Sequence, residues 1–187
     1  MTKRKTSLSY LLTPDYMFDS FLQVTPEFLS SLGIRALLID IDNTLAPYEQ
    51  PEPNEAIKAW FAALDANGIK AALISNNHAD RVELFNRELG IIAFADSGKP
   101  GSKNILRAME LMGSTPENTA GLGDQLLTDC LAVHRLGMIS IIIPPIKEKS
   151  IAFFRFKRRL ERRYIRKYRR AHGVTVEKNS LSERTWK

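Results

Sequence analysis

Short apolar runs alternate along the chain with segments whose apolar residues recur every three or four positions. Five runs rich in branched aliphatic residues predict strands, over 34–42, 69–75, 91–95, 119–123 and 138–143. The intervening segments predict helices, over 54–66, 80–89, 102–112 and 125–136. Nearly continuous apolar strands separated by helices are typical of a parallel sheet that is covered on both faces. The pattern therefore predicts an α/β fold with a doubly wound parallel sheet.

Two further segments flank this predicted sheet. Residues 1–29 form a lead-in, in which Thr13-Pro14 and Thr25-Pro26 each predict the start of a short helix that packs on the domain. Residues 30–146 contain the alternation of strands and helices, and residues 147–187 form a C-terminal extension. The sequence therefore predicts one α/β domain with a helical lead-in and a C-terminal extension.

Charge separates the extension from the rest of the chain. The 187 residues have a formal net charge of +6 and are 44% hydrophobic, which is typical of a globular protein. Residues 147–187 contain 15 Lys and Arg against 4 Asp and Glu, whereas residues 1–146 contain 12 against 17. No apolar run approaches the ~18 residues of a membrane span, and neither an export signal nor a disulfide framework is recognisable. We therefore expect a cytoplasmic protein whose basic extension meets an anionic surface.

Residues that can carry chemistry follow four of the predicted strands. In chain order they are Asp40 and Asp42, Ser75 and Asn76, Lys99, and Asp124 with Asp129. Ligands of open parallel sheets bind outside the carboxyl ends of the strands, so these residues are expected to face one site. Each of them alone could serve a turn, but turn formation explains the ordered set poorly.

These residue types suit phosphoryl transfer. Converging carboxylates repel one another, so the cluster predicts a divalent cation, and Mg²⁺ prefers a few carboxylates together with substrate phosphate. Asp40 and Asp42 can divide the work, one attacking phosphorus while the other serves the leaving group. Ser75 and the amides after it, beginning with Asn76, can hydrogen-bond the phosphoryl oxygens, and Lys99 supplies a positive charge to the same group.

The ordered set resembles the four motifs of the haloacid dehalogenase-like (HAD) phosphatase superfamily. The matching segments are D-I-D-N-T-L at 40–45, I-S-N at 74–76, K-P at 99–100 and G-D-Q-L-L-T-D at 123–129. The resemblance covers about residues 30–146. It implies that Asp40 is a nucleophile that forms an aspartyl-phosphate, and that Asp42 acts first as general acid and then as general base.

The same resemblance implies how a cofactor and the substrate are held. Mg²⁺ would be ligated by Asp40, the backbone carbonyl of Asp42 and Asp124, with Asp129 supporting the metal site. The phosphoryl group would be bound by Ser75 and Lys99, with Asn76 beside them.

A narrower resemblance is to the YqeG-type HAD-IIIA phosphatases, relatives of the mitochondrial phosphatidylglycerophosphate phosphatases. The segments that carry it are P-D-Y at 14–16, G-I-R-A-L-L-I-D-I-D-N-T-L-A-P-Y at 33–48, and 123–129. This resemblance implies removal of the terminal phosphate from phosphatidylglycerophosphate, which gives phosphatidylglycerol.

The spacing of the motifs leaves no room for a cap domain. Between Asp42 and Ser75 there is one loop, one helix and one strand, and between Ser75 and Lys99 one helix and one strand. Without a lid, the site is expected to be open and to suit a phosphate on a bulky or membrane-held substrate. Short loops that shield a soluble sugar or nucleotide phosphate are the alternative.

The extension contains a stretch, 151–170, that predicts a basic amphipathic helix. Its apolar residues recur at three- and four-residue spacing: Phe153, Phe156, Leu160, Tyr164 and Tyr168, with Ile165 beside them. Such a helix can bind the anionic inner face of the cytoplasmic membrane, which is our expectation for this protein. Packing on the core and binding of RNA or a ribosome-associated partner are alternatives, the latter making the chain a binding module.

Overall fold

The protein is described by a computed structural model over residues 7–147 and 152–172. Its sheet contains six strands: β1 (Tyr16–Met17), β2 (Ala36–Ile39), β3 (Lys70–Ile74), β4 (Ile92–Phe94), β5 (Thr119–Gly123) and β6 (Ile139–Ile142). Every neighbouring pair is parallel, and the order across the sheet is β1-β6-β5-β2-β3-β4. This order places β2 in the middle, between β3 and β5.

Seven α-helices accompany the sheet in the described residues. They are α1 (Leu8–Leu11), α2 (Pro26–Ser31), α3 (Glu55–Ala66), α4 (Ala79–Asn86), α5 (Lys103–Met112), α6 (Leu131–Arg135) and α7 (Ala152–Ala171). The Asn54 side chain caps α3 by accepting the N–H of Ile57 at 3.0 Å. A single π-helical turn, Leu126–Cys130, leads directly into α6. None of these helices has the length and apolarity of a membrane span.

Side chains alternate across β2 and so build two cores. Leu37 and Ile39 pack against α3 and α4 on one face, together with α2. Ala36 and Leu38 pack against α5 and α6 on the other face. Both faces of the sheet are therefore covered, which confirms the predicted doubly wound α/β fold, and all five predicted strands and four predicted helices are present. The described residues contain no separate cap.

The lead-in differs from its prediction in one respect. The helix predicted from Thr25-Pro26 exists as α2, with the Thr25 hydroxyl accepting the N–H of Phe28 at 3.2 Å. The helix predicted from Thr13-Pro14 is wrong, because Tyr16–Met17 forms a strand that pairs with β6. Pairing with an exposed sheet edge supplies backbone partners that a short helix would lack. The domain boundaries at residues 29 and 146 stay predictions.

An ion pair between the partly exposed Asp15 and the buried His134 fixes the lead-in to the sheet. The Asp15 carboxylate accepts the N–H of Ser140 at 2.8 Å, and the Nε2 atom of His134 lies 2.8 Å from the same oxygen. The other ring nitrogen of His134 lies 3.1 Å from the carbonyl oxygen of Leu11. Burial by itself would lower the pKa of His134, but the hydrogen bond to Asp15 and contacts with buried Cys130 outweigh it and raise that pKa to about 10.

The last helix, α7, packs on the domain. Ile165 and Tyr168 are buried, and Ile165 joins a cluster with Leu12 and Leu126, against which Tyr164 also packs. The Tyr168 hydroxyl accepts the N–H of Met17 at 3.1 Å. Core packing is thus the observed role of this part of the apolar stripe.

Not every residue of the predicted stripe packs in this way. Leu160 is 47% exposed. The structure describes the backbone of Phe153 and Phe156 but not their side chains. The packing of the predicted stripe is therefore described only from Leu160 onward.

Candidate active site

A cleft of about 290 Å³ opens at the carboxyl edge of the sheet. Its walls come from the segments that follow β2, β3, β4 and β5: Asp40, Asp42, Tyr48, Ser75, Asn76, Asn77, Lys99, Gln125, Thr128 and Asp129. Six of the seven residues singled out in the sequence line it. The seventh, Asp124, is fully buried beside the cleft, with a carboxylate oxygen within 4.8 Å of those of Asp40 and Asp129. Parallel strands bring these segments together because all their carboxyl ends meet at one edge.

Lys99 lies between two of the acidic groups at the bottom of the cleft. Its Nζ atom donates to Asp40 Oδ1 at 2.8 Å and to Asp129 Oδ1 at 2.6 Å. The Thr44 hydroxyl lies 3.4 Å from the second Asp40 oxygen. The lysine thus partly compensates a concentrated negative charge and holds the two carboxylates in place.

Burial dominates the electrostatics of this cluster. It raises the pKa of Asp40 to about 8, since the charges of Asp129 and Asp124 add to it and the attraction of Lys99 only partly opposes them. Burial would lower the pKa of Lys99, but the charges and hydrogen bonds of Asp129 and Asp40 together raise it. The pKa of the Tyr48 hydroxyl is likewise raised, first by burial and then by the charge of Asp42. A cluster with these properties is suited to bind a cation or to hold a proton.

Three buried aspartates at this spacing fit a hard cation. Asp40, Asp124 and Asp129 each offer one carboxylate oxygen, and these oxygens all lie within 4.8 Å of one another. Mg²⁺ prefers oxygen ligands of this kind. Asp129 accepts hydrogen bonds on both carboxylate oxygens, because its Oδ2 atom also accepts the N–H of Gln125 at 3.1 Å.

Asp42 is held on the cleft wall by two side chains, one from the loop after β3 and one from α4. Asn77 donates its Nδ2 to one carboxylate oxygen at 2.9 Å, and Arg81 donates its Nε to the other at 3.2 Å. Arg81 is itself fixed, because it also donates to the carbonyl of Pro51 at 2.9 Å and lies over the ring of Phe85. The orientation of the Asp42 carboxylate is therefore determined by a rigid frame.

The segment after β3 organises the lysine loop. The Asn76 side-chain oxygen accepts the backbone N–H of Lys99 and the hydroxyl of Ser97, each at 2.8 Å, and its amide donates to the Lys99 carbonyl at 3.0 Å. The Asn76 side chain is thus committed to this loop, and its predicted contact with phosphate depends on its backbone N–H. Ser75 is buried at the cleft, with its hydroxyl accepting the N–H of Asn77 at 3.0 Å.

Gly123 ends β5 where the Asp129 side chain crosses the backbone. A Cβ atom at position 123 would collide with the Asp129 carboxylate carbon and with its Cβ. Glycine therefore permits the close approach that brings Asp129 to Lys99.

Several residues of the site were missed in the sequence. Asn77 and Arg81 hold Asp42, whereas Tyr48, Gln125 and Thr128 line the cleft. A signal existed for Arg81, because the first turn of a helix that follows a parallel strand lies at the carboxyl edge of the sheet. The sequence does not indicate that Arg81 pairs with Asp42.

Comparison with known proteins agrees with this geometry. Residues 17–137 match the hydrolase family described as haloacid dehalogenase-like hydrolase. The chain is 33% identical over 170 residues to "Probable phosphatase YqeG" of Bacillus subtilis (strain 168), and the alignment covers 91% of this chain and 99% of that protein.

The solved structures that are similar to this chain share little sequence with it. CbbY from Rhodobacter sphaeroides in complex with phosphate is 16% identical, with a TM-score of 0.49 and coverage of 64% of this chain and 90% of that one. The 3-deoxy-D-manno-octulosonate 8-phosphate phosphatase from Moraxella catarrhalis, in complex with magnesium, phosphate and KDO, is 15% identical. Its TM-score is 0.45, and coverage is 79% of this chain and 97% of that one.

Proposed function

This chain belongs to the haloacid dehalogenase-like hydrolases and is a phosphatase of that type, and we propose that it hydrolyses phosphate monoesters through an aspartyl-phosphate on Asp40. The observation that carries the proposal is the convergence of Asp40, Asp42, Ser75 and Lys99 on one cleft. Lys99 and the Ser75 region can bind the phosphoryl oxygens, which leaves a carboxylate on either side of the phosphorus for covalent and proton-transfer chemistry.

The proposed reaction has two steps. In the first, an Asp40 carboxylate oxygen bonds to phosphorus, the ester bond to the leaving oxygen breaks, and Asp42 gives its proton to that oxygen. In the second, Asp42 takes a proton from water, the water oxygen bonds to phosphorus, and inorganic phosphate leaves Asp40. The frame of Asn77 and Arg81 would keep the Asp42 carboxylate aimed at the same place through both steps.

Mg²⁺ is the proposed cofactor. Asp40, Asp124 and the backbone carbonyl of Asp42 would hold it, with Asp129 supporting the site through its bonds to Lys99 and Gln125. When bound, Mg²⁺ would neutralise the charge shared between these carboxylates and the phosphoryl oxygens.

The nucleophile assignment is tested with Asp40→Asn. The variant should lose hydrolysis of p-nitrophenyl phosphate by at least about 10⁴-fold, since an amide cannot attack phosphorus. Its far-UV circular dichroism and unfolding temperature should stay close to those of the wild-type protein, because the amide is nearly isosteric with the carboxyl. Turnover by a folded Asp40→Asn protein would refute the proposed chemistry.

For the substrate, we propose a phosphate carried on a lipid at an anionic membrane, with phosphatidylglycerophosphate as the specific candidate. The cleft is open and no cap covers it in the described residues, which suits a headgroup presented at a surface. The narrower family resemblance supports the same substrate. A phosphatase for soluble sugar or nucleotide phosphates would also work with this cleft, and the experiment below separates the two.

The proposed membrane contact is electrostatic. Since Ile165 and Tyr168 pack on the core, they are not available to enter a bilayer. A groove of about 450 Å³ lies beside α7. It is lined by four basic side chains, Arg163, Arg166, Lys167 and Arg170, together with Ser9 and Tyr164. Cations at such positions attract anionic headgroups, each by about 1 kcal/mol. The protein would accordingly act as a peripheral enzyme on the inner face of the cytoplasmic membrane.

The triple variant Arg163→Gln, Arg166→Gln, Arg170→Gln tests this contact. Loss of about 3 kcal/mol of attraction should weaken sedimentation with phosphatidylglycerol vesicles about 100-fold and lower turnover of vesicle-borne phosphatidylglycerophosphate. Turnover of p-nitrophenyl phosphate should not change. The matched control is Arg87→Gln, Lys103→Gln, Arg107→Gln, which removes the same charge from exposed positions elsewhere.

Two results would contradict the lipid proposal. One is faster turnover of soluble sugar or nucleotide phosphates than of phosphatidylglycerophosphate. The other is binding of structured RNA, but not of anionic vesicles, across the same series of salt concentrations.

A further inference from the structure

A buried acidic residue lies in the basic helix α7. Glu161 is the one Asp or Glu among the residues of this helix, and it is 1% exposed. Its Oε1 atom accepts the backbone N–H of Leu126 at 2.9 Å and that of Leu127 at 3.2 Å. A carboxylate of the C-terminal extension is therefore bonded to the backbone of the segment that follows β5.

The bonded segment carries part of the catalytic cleft. Leu126 and Leu127 begin the π-helical turn Leu126–Cys130, which also contains Asp129. The preceding N–H, that of Gln125, is accepted by Asp129 Oδ2 at 3.1 Å. Three successive N–H groups at the start of this turn are thus satisfied by two carboxylates, one from the turn itself and one from α7.

From this arrangement we infer that Glu161 is a positioning residue for the metal and phosphate site, acting through the turn that carries Asp129; the inference rests on the proposed function. Leu126 is fully buried, so its N–H cannot turn to water if the Glu161 carboxylate is removed. The Asp129 carboxylate is an acceptor within the same turn, and it already bonds to Gln125 and Lys99. Without the Glu161 carboxylate, the N–H groups of Leu126 and Leu127 would need a new acceptor. Bonding to Asp129 would therefore draw Asp129 or the whole turn away from the acidic cluster.

The inference gives α7 a second role. Its basic face can attract a substrate surface, while Glu161 on its buried face supports the site that acts on the substrate. Some residues orient a metal ligand without touching the metal. Replacing such a residue typically lowers metal affinity by about 10- to 100-fold.

Mg²⁺ binding without substrate tests this role, with the full chain and calorimetry as the readout. Glu161→Ala should raise the Mg²⁺ dissociation constant by at least about 10-fold, whereas Glu161→Gln, which keeps an acceptor oxygen, should stay within about 3-fold of the wild-type protein. The matched control is Tyr168→Ala, which removes buried packing of α7 beside β1, two turns away from Glu161. It should lower the unfolding temperature but leave the Mg²⁺ dissociation constant within about 2-fold.

The opposite pattern would overturn the inference. A folded Glu161→Ala protein with wild-type Mg²⁺ affinity contradicts it, as does a wild-type protein that binds no Mg²⁺. If Glu161→Ala does not fold, Glu161→Asp decides: weaker Mg²⁺ binding by several-fold supports the role, and unchanged binding contradicts it.

The same design separates the two proposals. A wild-type protein that binds Mg²⁺ but hydrolyses no phosphate ester refutes the proposed function. The comparison of Mg²⁺ affinity between Glu161→Ala and the wild-type protein would still measure positioning.

Discussion

Replacing Lys99 by methionine removes the one cation that bonds to two carboxylates at the bottom of the cleft. In the wild-type protein the Nζ atom lies 2.8 Å from Asp40 and 2.6 Å from Asp129, and all three side chains are at most 10% exposed. Methionine is similar in length and apolar, so Lys99→Met keeps most of the packing and deletes the charge. The variant therefore isolates the electrostatic role of the lysine.

The expected loss of stability follows from the geometry. Removing one partner of a buried ion pair costs about 3–5 kcal/mol, because the remaining charge is left uncompensated. Above about pH 8, where Asp40 is ionised, two carboxylates about 5 Å apart repel each other by about 3 kcal/mol at an effective dielectric constant near 20, which agrees with that range. For a chain of this size the change corresponds to a decrease of about 6–20 °C in unfolding temperature.

The pH dependence of this loss has a definite sign. The pKa of Asp40 is raised to about 8 in the folded protein, above its ordinary value of 3.8, so ionisation of this group opposes folding. Its contribution to stability is complete below about pH 4 and is lost as the pH rises through about 8. Without Lys99 this pKa should be higher still. The difference between Lys99→Met and the wild-type protein should therefore be larger at about pH 9 than at about pH 5.

Thermal unfolding followed by circular dichroism, with EDTA and with saturating Mg²⁺, measures these effects. Mg²⁺ should restore part of the lost stability, since a divalent cation can take over the compensation of the carboxylates. Lys103→Met, at an exposed position, is the control and should unfold like the wild-type protein. An unfolding temperature of Lys99→Met within about 2 °C of the wild-type value in EDTA at both pH values would refute this reasoning.

Three further variants test other parts of the structure. Arg81→Met frees the Asp42 carboxylate and should lower kcat about 10- to 100-fold for an alkyl phosphate, but less for p-nitrophenyl phosphate, whose leaving group needs little acid catalysis. Gly123→Ala must displace the Asp129 side chain and should lower kcat at least about 10-fold; unchanged kinetics would contradict the close approach. His134→Gln should lower the free energy of unfolding by about 1–2 kcal/mol, allowing for the partly exposed partner carboxylate. That difference should be complete below about pH 6.5 and vanish as the pH rises through about 10, which denaturant titration would show.

The sequence by itself determined the five strands from β2 to β6, the helices between them and the residues at the strand ends. A buried parallel strand requires an almost continuous apolar run, and four of the five runs here are followed by polar residues such as Asp40, Ser75 and Asp124. Because all parallel strands point the same way, a local pattern is enough to bring those residues to one edge. The composition of the cleft could be predicted for this reason.

Only the tertiary structure decided which side chains bond to one another. Arg81 holds Asp42, Asn76 holds the Lys99 loop and Glu161 holds the turn of Asp129, and these bonded partners are 39, 23 and 34 to 35 residues apart in the chain. Such contacts depend on how the helices pack on the sheet, and many pairings of charged residues are compatible with one sequence pattern.

The apolar stripe of α7 illustrates the same limit. Its spacing defines a face that must leave water, but the spacing is equally compatible with a membrane and with a protein core. The structure buries Ile165 and Tyr168 against the domain and leaves the cations outside. The hydrophobic effect is proportional to the area removed from water and has no direction, so periodicity determines that a face is buried, whereas the packed fold determines what covers it.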